Sequence, residues 1–167
     1  MEIINPNPII NKTPHQYSID FLKKREKEEN DDNYEDPIDK YEIYDLIKNI
    51  KDPEHPLTLE QINVVNEEDI IVDNNKKYIL IYYTPTIPNC SLSSLIGLSI
   101  KVKLLNNIDK RYKIDVLIKP GTQDLEDLVN KQLCDKERVL AAMEADGMKK
   151  VLSKCILDDD EFEEVYK

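Results

Sequence analysis

The chain has 167 residues, a mass of 19.5 kDa and a formal net charge of −11. This length suits one domain, and a hydrophobic content of 40% permits one modest core. The acidic balance argues against non-specific binding to nucleic acid and against docking on anionic membranes, because both need clustered cations. With only three glycines, the sequence contains neither the dinucleotide-binding nor the P-loop glycine pattern.

Acidic charge is concentrated at the two ends of the sequence. Residues 1–37 carry nine acidic and five basic side chains, and residues 158–167 carry six acidic and one basic. Both segments are therefore predicted to be solvated, disordered tails, with a short helix near 18–28. Docking of a tail on another surface is the alternative. The nearly neutral stretch 38–157 is predicted to be the folded domain.

Three cysteines, Cys90, Cys134 and Cys155, are odd in number and widely spaced. That pattern suits neither a disulfide framework nor a four-cysteine zinc site, and no signal peptide is recognisable, so a reducing compartment, cytosol or nucleus, is expected. Residues 78–100 carry no charge, but prolines and serines interrupt them. They are predicted to form a strand, a turn and a buried helix, and not a membrane span.

The first predicted element of the domain is a helix. Its apolar face follows the i, i+3, i+4, i+7 spacing of Ile43, Leu46, Ile47 and Ile50. The helix should end before Pro53, because a residue that precedes proline avoids the α region. After the turn "DPEHP", Thr58 and Gln61 have the spacing of a capping box, which predicts a short helical turn.

Three strands are predicted. Residues 69–73 and 77–83 should form a hairpin, because the residues between them are typical of turns. The second of these strands is apolar on both faces and should be central and covered. Residues 112–118 alternate well enough to form the third strand.

A helix over 91–105 is predicted to cross from the second strand to the third. Asn89 or Ser91 would cap it. Its apolar stripe consists of Leu95, Leu98, Val102 and Leu105. Gly97 costs about 1 kcal/mol relative to alanine in a helix, so we expect it to permit close packing on the sheet.

Further helices are predicted over 124–133, over 136–145 and over 148–156. Asp135 should cap the second of them, and Gly147 should separate the second from the third. In the first, the apolar side is expected to consist of Leu125, Leu128, Val129 and Gln132. The order of elements predicts an α+β fold: a two-layer domain with a three-stranded mixed sheet and helices on one side.

Cys90 is the strongest functional candidate. It follows "TPTIP" at the predicted start of a helix, where unpaired amide groups and the helix dipole stabilise a thiolate. We therefore expect a lowered pKa for this thiol, which suits binding of a metal, a cluster or an electrophile. The loop that would position it contains Pro85, Pro88, Asn89 and Ser91. The alternative is that Cys90 packs as a small apolar residue, and core packing is expected for Cys134 and Cys155.

Three segments together resemble a known family: "DLIKNIKDPEHPLTLEQINVV" (45–65), "TPTIPNCSLSSLIGLSIKVKL" (84–104) and "NKQLCDKERVLAAME" (130–144). They are similar to the eukaryotic cytosolic iron–sulfur assembly component 2 proteins, also called the mitotic-spindle-associated MMXD-complex subunit family. The resemblance covers roughly residues 38–157. It implies the small α+β fold of iron–sulfur assembly domains.

The resemblance also implies a function. Family members belong to a cytosolic targeting complex with a WD-repeat propeller protein and a HEAT-repeat scaffold. The complex delivers 4Fe–4S clusters to apo-proteins, many of them DNA replication and repair enzymes, and the family is associated with chromosome segregation. A cytoplasmic and also nuclear location follows. The reactive cysteine of the family's "TPTxPxC" motif matches Cys90.

The sequence departs from this family at two positions. Close relatives commonly have histidine just before the cysteine and after Gly-Thr, where this chain has Asn89 and Gln123. Amides are poor ligands for zinc or iron, so Cys90 alone remains as a metal ligand. One thiolate cannot hold a four-iron cluster, which usually takes four cysteines. Cys90 is thus expected to bind a cluster only transiently, with no stably bound cofactor, and partners or a second copy would supply the other ligands.

Two alternatives to a non-enzymatic adaptor stay open. A thiol-dependent enzyme would use Cys90 as nucleophile and needs a base within reach, for which His55 or a carboxylate is the candidate. A pure interaction module would use Cys90 only structurally. A domain-swapped homodimer is compatible with a small mixed sheet.

Overall fold

The computed structural model describes residues 10, 17–19, 22, 23 and 26 and the stretches 37–86 and 92–157. The two long stretches contain five α-helices: α1 Lys40–Ile47, α2 Ser93–Asn107, α3 Glu126–Cys134, α4 Lys136–Glu144 and α5 Asp146–Ile156. Three strands form one sheet: β1 Ile70–Asp73, β2 Tyr78–Tyr83 and β3 Lys113–Ile118. The predicted α+β class is confirmed. No helix in the described ranges is both long and apolar enough to cross a membrane.

The sheet has the order β1-β2-β3, so β2 is central as predicted. β1 runs antiparallel to β2 with Ile70 opposite Ile81, and β3 runs parallel to β2 with Val116 opposite Ile81. One face of the sheet is buried against helices through Ile70, Ile79, Ile81, Tyr83, Ile114, Val116 and Ile118. The prediction that β2 is covered on both faces is wrong. Its other face, Tyr78, Leu80 and Tyr82, is half-buried, and the Tyr78 hydroxyl donates to Asp115 at 3.0 Å.

Helix α1 begins at a side-chain cap. The carboxylate of Asp39 accepts a hydrogen bond from the Glu42 amide at 2.8 Å. The predicted face is buried through Ile43 and Ile47, whereas the helix ends at Ile47 and Ile50 is buried in the following turn. The predicted helix is therefore confirmed, with an end one turn earlier.

The chain after α1 is held by local side-chain bonds. Asp52 accepts hydrogen bonds from the amides of Glu54 and His55 at 2.8 and 2.9 Å, which fixes the "DPEHP" turn. The capping box is confirmed, because the Thr58 amide donates to Gln61 Oε1 at 2.9 Å and the Gln61 amide donates to Thr58 Oγ at 3.3 Å. The bonds from Asp52 hold His55 within this turn.

Tyr17 contacts helix α1. Its hydroxyl donates to Asp45 Oδ1 at 2.9 Å, and its ring meets Tyr41 edge-on at 5.5 Å. Among the residues described after it, Ile19, Leu22, Lys23 and Glu26 are helical. They lie within the short helix predicted near 18–28.

Helix α2 is the centre of the domain. It contacts β3, α1, α3 and α5. It is therefore buried on nearly every side, through Ser93, Ile96, Gly97, Leu98, Ser99, Ile100, Lys101, Val102 and Leu104. The prediction of a single apolar stripe is wrong, and its predicted member Leu105 is 38% exposed. Leu92 precedes the helix without a side-chain cap bond, and the predicted caps Asn89 and Ser91 lie outside the described residues.

The C-terminal helices differ from the prediction in two details. Asp135 caps α4 as predicted, since its carboxylate accepts from two amides at 3.0 and 3.3 Å. The chain breaks before α5 at Ala145, and Gly147 lies in the first turn of α5. On α3 the buried residues are Val129 and Leu133, whereas Leu128 is 53% exposed and Leu125 is similarly exposed. The predicted apolar side is confirmed at Val129 and wrong at Leu125 and Leu128, because the buried pair is Val129 and Leu133, four residues apart.

Candidate functional site

Residues 87–91 lie outside the described residues, and with them Cys90, Pro88, Asn89 and Ser91. The structure therefore describes the two ends of this segment. At the first end, the Thr84 amide donates to the Val64 carbonyl at 2.9 Å, and Pro85 is buried. At the second end, α2 begins at Ser93, three positions after the cysteine.

The two ends of the segment are joined by one buried hydrogen bond. The hydroxyl of Tyr83, the last residue of β2, donates to the carbonyl oxygen of Ser93 at 2.7 Å. Both residues are fully buried. Segment 84–92 is therefore closed at its base by a side chain of the central strand. Sequence analysis did not identify Tyr83 or Ser93, because nothing local distinguishes this tyrosine from its neighbours.

Gly97 makes this contact possible. A Cβ atom at Gly97 would lie 2.7 Å from the Tyr83 hydroxyl oxygen and 2.5 Å from Cδ1 of Leu133. The predicted close packing on the sheet is confirmed, and it includes α3 as well. We call Tyr83, Ser93 and Gly97 the base contact of the segment. The Ser93 hydroxyl is also buried there, without a hydrogen-bond partner in the described part of the chain.

A second loop begins beside Tyr83, where segment 84–92 leaves the sheet. Because β2 and β3 are parallel, both strands end at the same edge of the sheet. The Lys119 amide donates to the Tyr83 carbonyl at 2.8 Å, and the Lys119 ammonium pairs with Asp69 at 2.8 Å. Gln123, one of the two positions where the family resemblance expects histidine, is 5% exposed in this loop. The fold thus brings the Gln123 loop to the edge from which the Cys90 segment leaves.

The other two thiols have different surroundings. Cys155 is buried on α5, and burial raises its pKa, which makes it a poor nucleophile. Cys134, at the end of α3, is exposed, so the prediction of core packing is confirmed for Cys155 and wrong for Cys134. The last turn of α3 is anchored by Leu133, which leaves the next side chain outside the core.

His55 lines a cavity of about 460 Å³ together with Asp52, Lys154 and Cys155. The nucleophile that a thiol enzyme would pair with it, Cys90, lies outside the described residues. Within the ranges that are described, no three potential ligands among histidine, cysteine and carboxylate side chains converge on a metal position.

Alkaline pH should destabilise the domain through its tyrosines. Burial, and for Tyr78 also a hydrogen bond to Asp115, raises the pKa of Tyr83 and raises the pKa of Tyr78 to about 12. Raised folded-state pKa values give stability that is complete below the unfolded value of about 10 and is lost as pH rises beyond it. Burial of Lys101 lowers the pKa of its ammonium group. This lysine therefore makes the free energy of unfolding rise with pH over the alkaline range just below the pKa of an unfolded lysine.

Urea unfolding at a series of pH values should therefore show a falling free energy of unfolding above about pH 10. Tyr78→Phe should flatten this fall, because it removes one of the ionising groups. A fall of unchanged steepness in Tyr78→Phe would contradict the assignment to this residue.

No family model matches the sequence. Individual relatives do. The chain is 50% identical over 156 residues to a protein of Drosophila melanogaster named MIP18 family protein galla-2, covering 90% of this chain and 97% of that one. It is 54% identical over 121 residues to cytosolic iron-sulfur assembly component 2B of Mus musculus, covering 72% of this chain and 74% of that one. The protein of that name in Dictyostelium discoideum is 45% identical over 159 residues, with 91% and 96% covered. The resemblance inferred from the sequence is confirmed, and the chain belongs to the family of MIP18 and cytosolic iron–sulfur assembly component 2 proteins.

Proposed function

We propose that the chain acts in cytosolic iron–sulfur protein assembly as a non-enzymatic adaptor that helps deliver 4Fe–4S clusters to apo-proteins. Its relatives in mouse and Dictyostelium are named for cytosolic iron–sulfur assembly, which supports the general role. The delivery step, the clients among DNA replication and repair enzymes and the link to chromosome segregation are parts of the proposal.

The observation that carries the proposal is the base contact. Segment 84–92 contains the candidate ligand Cys90, and the bond from Tyr83 to Ser93 holds the two ends of that segment together. Fixed ends reduce the conformational entropy that the segment would lose on binding. A thiolate in a segment with fixed ends suits a ligand that binds a cluster briefly and then releases it.

Cys90 would act as a relay ligand. Four cysteines usually hold a four-iron cluster, so one thiolate must share the cluster with ligands from elsewhere. A WD-repeat propeller protein, a HEAT-repeat scaffold and the apo-protein client are the proposed partners, in the cytoplasm and also the nucleus. Transfer is then an exchange of iron ligands, in which a client thiolate replaces Cys90 at iron.

The test is an affinity capture of the wild-type chain and of Cys90→Ser from cell extract, with the iron content of clients measured in parallel. Both forms should capture the WD-repeat and HEAT-repeat proteins, whereas only wild type should support iron loading. Cys134→Ser is the matched control, because it removes an exposed thiol outside segment 84–92 and should leave both readouts unchanged.

Two results would contradict the proposal. Iron loading by Cys90→Ser at the wild-type level would make Cys90 structural and leave an interaction module. If neither form captured a propeller or HEAT-repeat protein, the adaptor role would fail, and the thiol-enzyme alternative would be tested next.

A further inference from the structure

A second surface feature lies at the opposite end of β3. A cavity of about 480 Å³ opens between α2, α4 and the chain around the start of β3. Its lining holds five cationic side chains and one carboxylate: Lys101, Lys110, Arg111, Lys113, Lys136 and Asp115. In a chain with a net charge of −11, this is a local concentration of positive charge. We call it the basic cavity.

Not all of these cations are neutralised within the fold. Arg111 pairs with Asp109 at 2.8 Å, and Lys113 pairs with Asp115 at 3.1 Å. Lys110 and Lys136 make no ion pair in the part of the chain that the structure describes. Their charges are therefore available to an anionic ligand.

The basic cavity is also apolar. Leu140 is 56% exposed and Leu105 is partly exposed, and both line it beside Val139. Exposed leucines between cations indicate a ligand that combines negative charge with an apolar side chain. An inorganic anion would leave these leucines in contact with water.

The chain itself contains such a ligand after its last described residue, Leu157. Residues 158–167, DDDEFEEVYK, contain six acidic side chains, with Phe162 between acidic neighbours. The negative charge of this segment is therefore opposite to that of the basic cavity, and its phenylalanine suits the exposed leucines there.

The end of α5 lies near enough for this segment to reach the cavity. Lys103 on α2 donates to the Ile156 carbonyl at 3.4 Å. A smaller cavity of about 170 Å³ is lined by Leu157, by Asn106 of α2 and by Met143 of α4. Each of these two helices continues into the basic cavity, α2 at Leu105 and α4 at Val139.

Val139 and Met143 are four residues apart, so the two cavities are about one helical turn, or roughly 6 Å, apart along α4. The five residues from Leu157 to Phe162 span about 16 Å when extended. We propose that residues 158–167 dock in the basic cavity of their own chain, with Phe162 against Leu105 and Leu140 and the acidic side chains beside Lys110 and Lys136.

The full-length chain allows a direct test, because it contains no tryptophan. Phe162→Trp introduces a single reporter. Docking predicts blue-shifted emission and an acrylamide quenching rate several-fold below that of the peptide 158–167 carrying the same substitution. Adding Lys110→Glu and Lys136→Glu should move the emission and the quenching to the values of the free peptide, and so should high salt.

Lys119→Glu in the same Phe162→Trp chain is the matched control. It reverses one lysine charge at the far end of β3, as each of the two cavity substitutions does singly, and should leave the tryptophan protected. Peptide-like emission in the Phe162→Trp chain at low salt would overturn the proposal. So would emission that depends on protein concentration, because the tail would then dock on a second copy.

A second variant, Leu140→Asp, tests the apolar contact. It should also release the tryptophan, and retained protection in this variant would overturn the apolar contact.

Discussion

Replacing Gly97 by alanine is expected to lower the free energy of unfolding by about 2–3 kcal/mol. The added methyl group would lie 2.5 Å from Leu133 Cδ1 and 2.7 Å from the Tyr83 hydroxyl oxygen, well inside normal contact distances. Both neighbours belong to fully packed elements, so neither can move without disturbing β2 or α3. Alanine recovers about 1 kcal/mol of helix propensity, which is less than the cost of overpacking. Urea unfolding measures the difference.

Gly147→Ala is the matched control for this change. Gly147 also lies in a helix, but a Cβ atom there would meet nothing within 4 Å. It should therefore be neutral or stabilising by up to about 1 kcal/mol. Tyr83→Phe should partly rescue Gly97→Ala, because it removes one of the two close contacts. If Gly97→Ala were as stable as wild type, the base contact would not have the geometry described.

Ile81→Ala is expected to cost about 3–4 kcal/mol, within the range of about 2–5 kcal/mol for truncating a buried large aliphatic side chain. Ile81 is 0% exposed at the middle of the central strand. It lies opposite Ile70 on one side and Val116 on the other, so the sheet register holds its surroundings in place. The backbone pairing limits how far the structure can collapse into the space that is left.

Ile71→Ala is the corresponding control on the neighbouring strand. Ile71 is 50% exposed on the opposite face of the sheet. Its truncation should cost about 1 kcal/mol, since half of this side chain stays exposed to water after folding. Chemical denaturation of both variants at one pH provides the comparison. Equal losses would show that the exposed face contributes to the core as much as the buried face does.

Local patterns predicted most of the elements. The apolar spacing around Ile43, the capping residue Asp135 and the hairpin turn each act within a few residues, so each can be read from the chain. The errors arose where burial depends on distant elements. Helix α2 is covered on nearly all sides because four other elements pack around it. Leu128 on α3 and Leu125 just before it are exposed because Val129 and Leu133 take the buried side.

The sequence points to the candidate site only where the signal is local. Cys90 stands out because of its prolines and its position before a helix. The base contact is different, because Tyr83, Ser93 and Gly97 meet only after β2 and α2 have folded together. The sequence indicates that Gly97 has a close neighbour and does not say which one. The basic cavity likewise joins residues of α2, β3 and α4 that are far apart in the chain.

The base contact has a consequence for protein engineering. It belongs to the core and also joins the described ends of segment 84–92, so a substitution there changes thermal resistance and the placement of those ends together. Selection for either property alone would find few acceptable replacements at Tyr83 or Gly97. The half-exposed face of the sheet does not have this constraint. Variants intended to withstand heat without altering the segment should therefore be sought at Ile71 and Leu80.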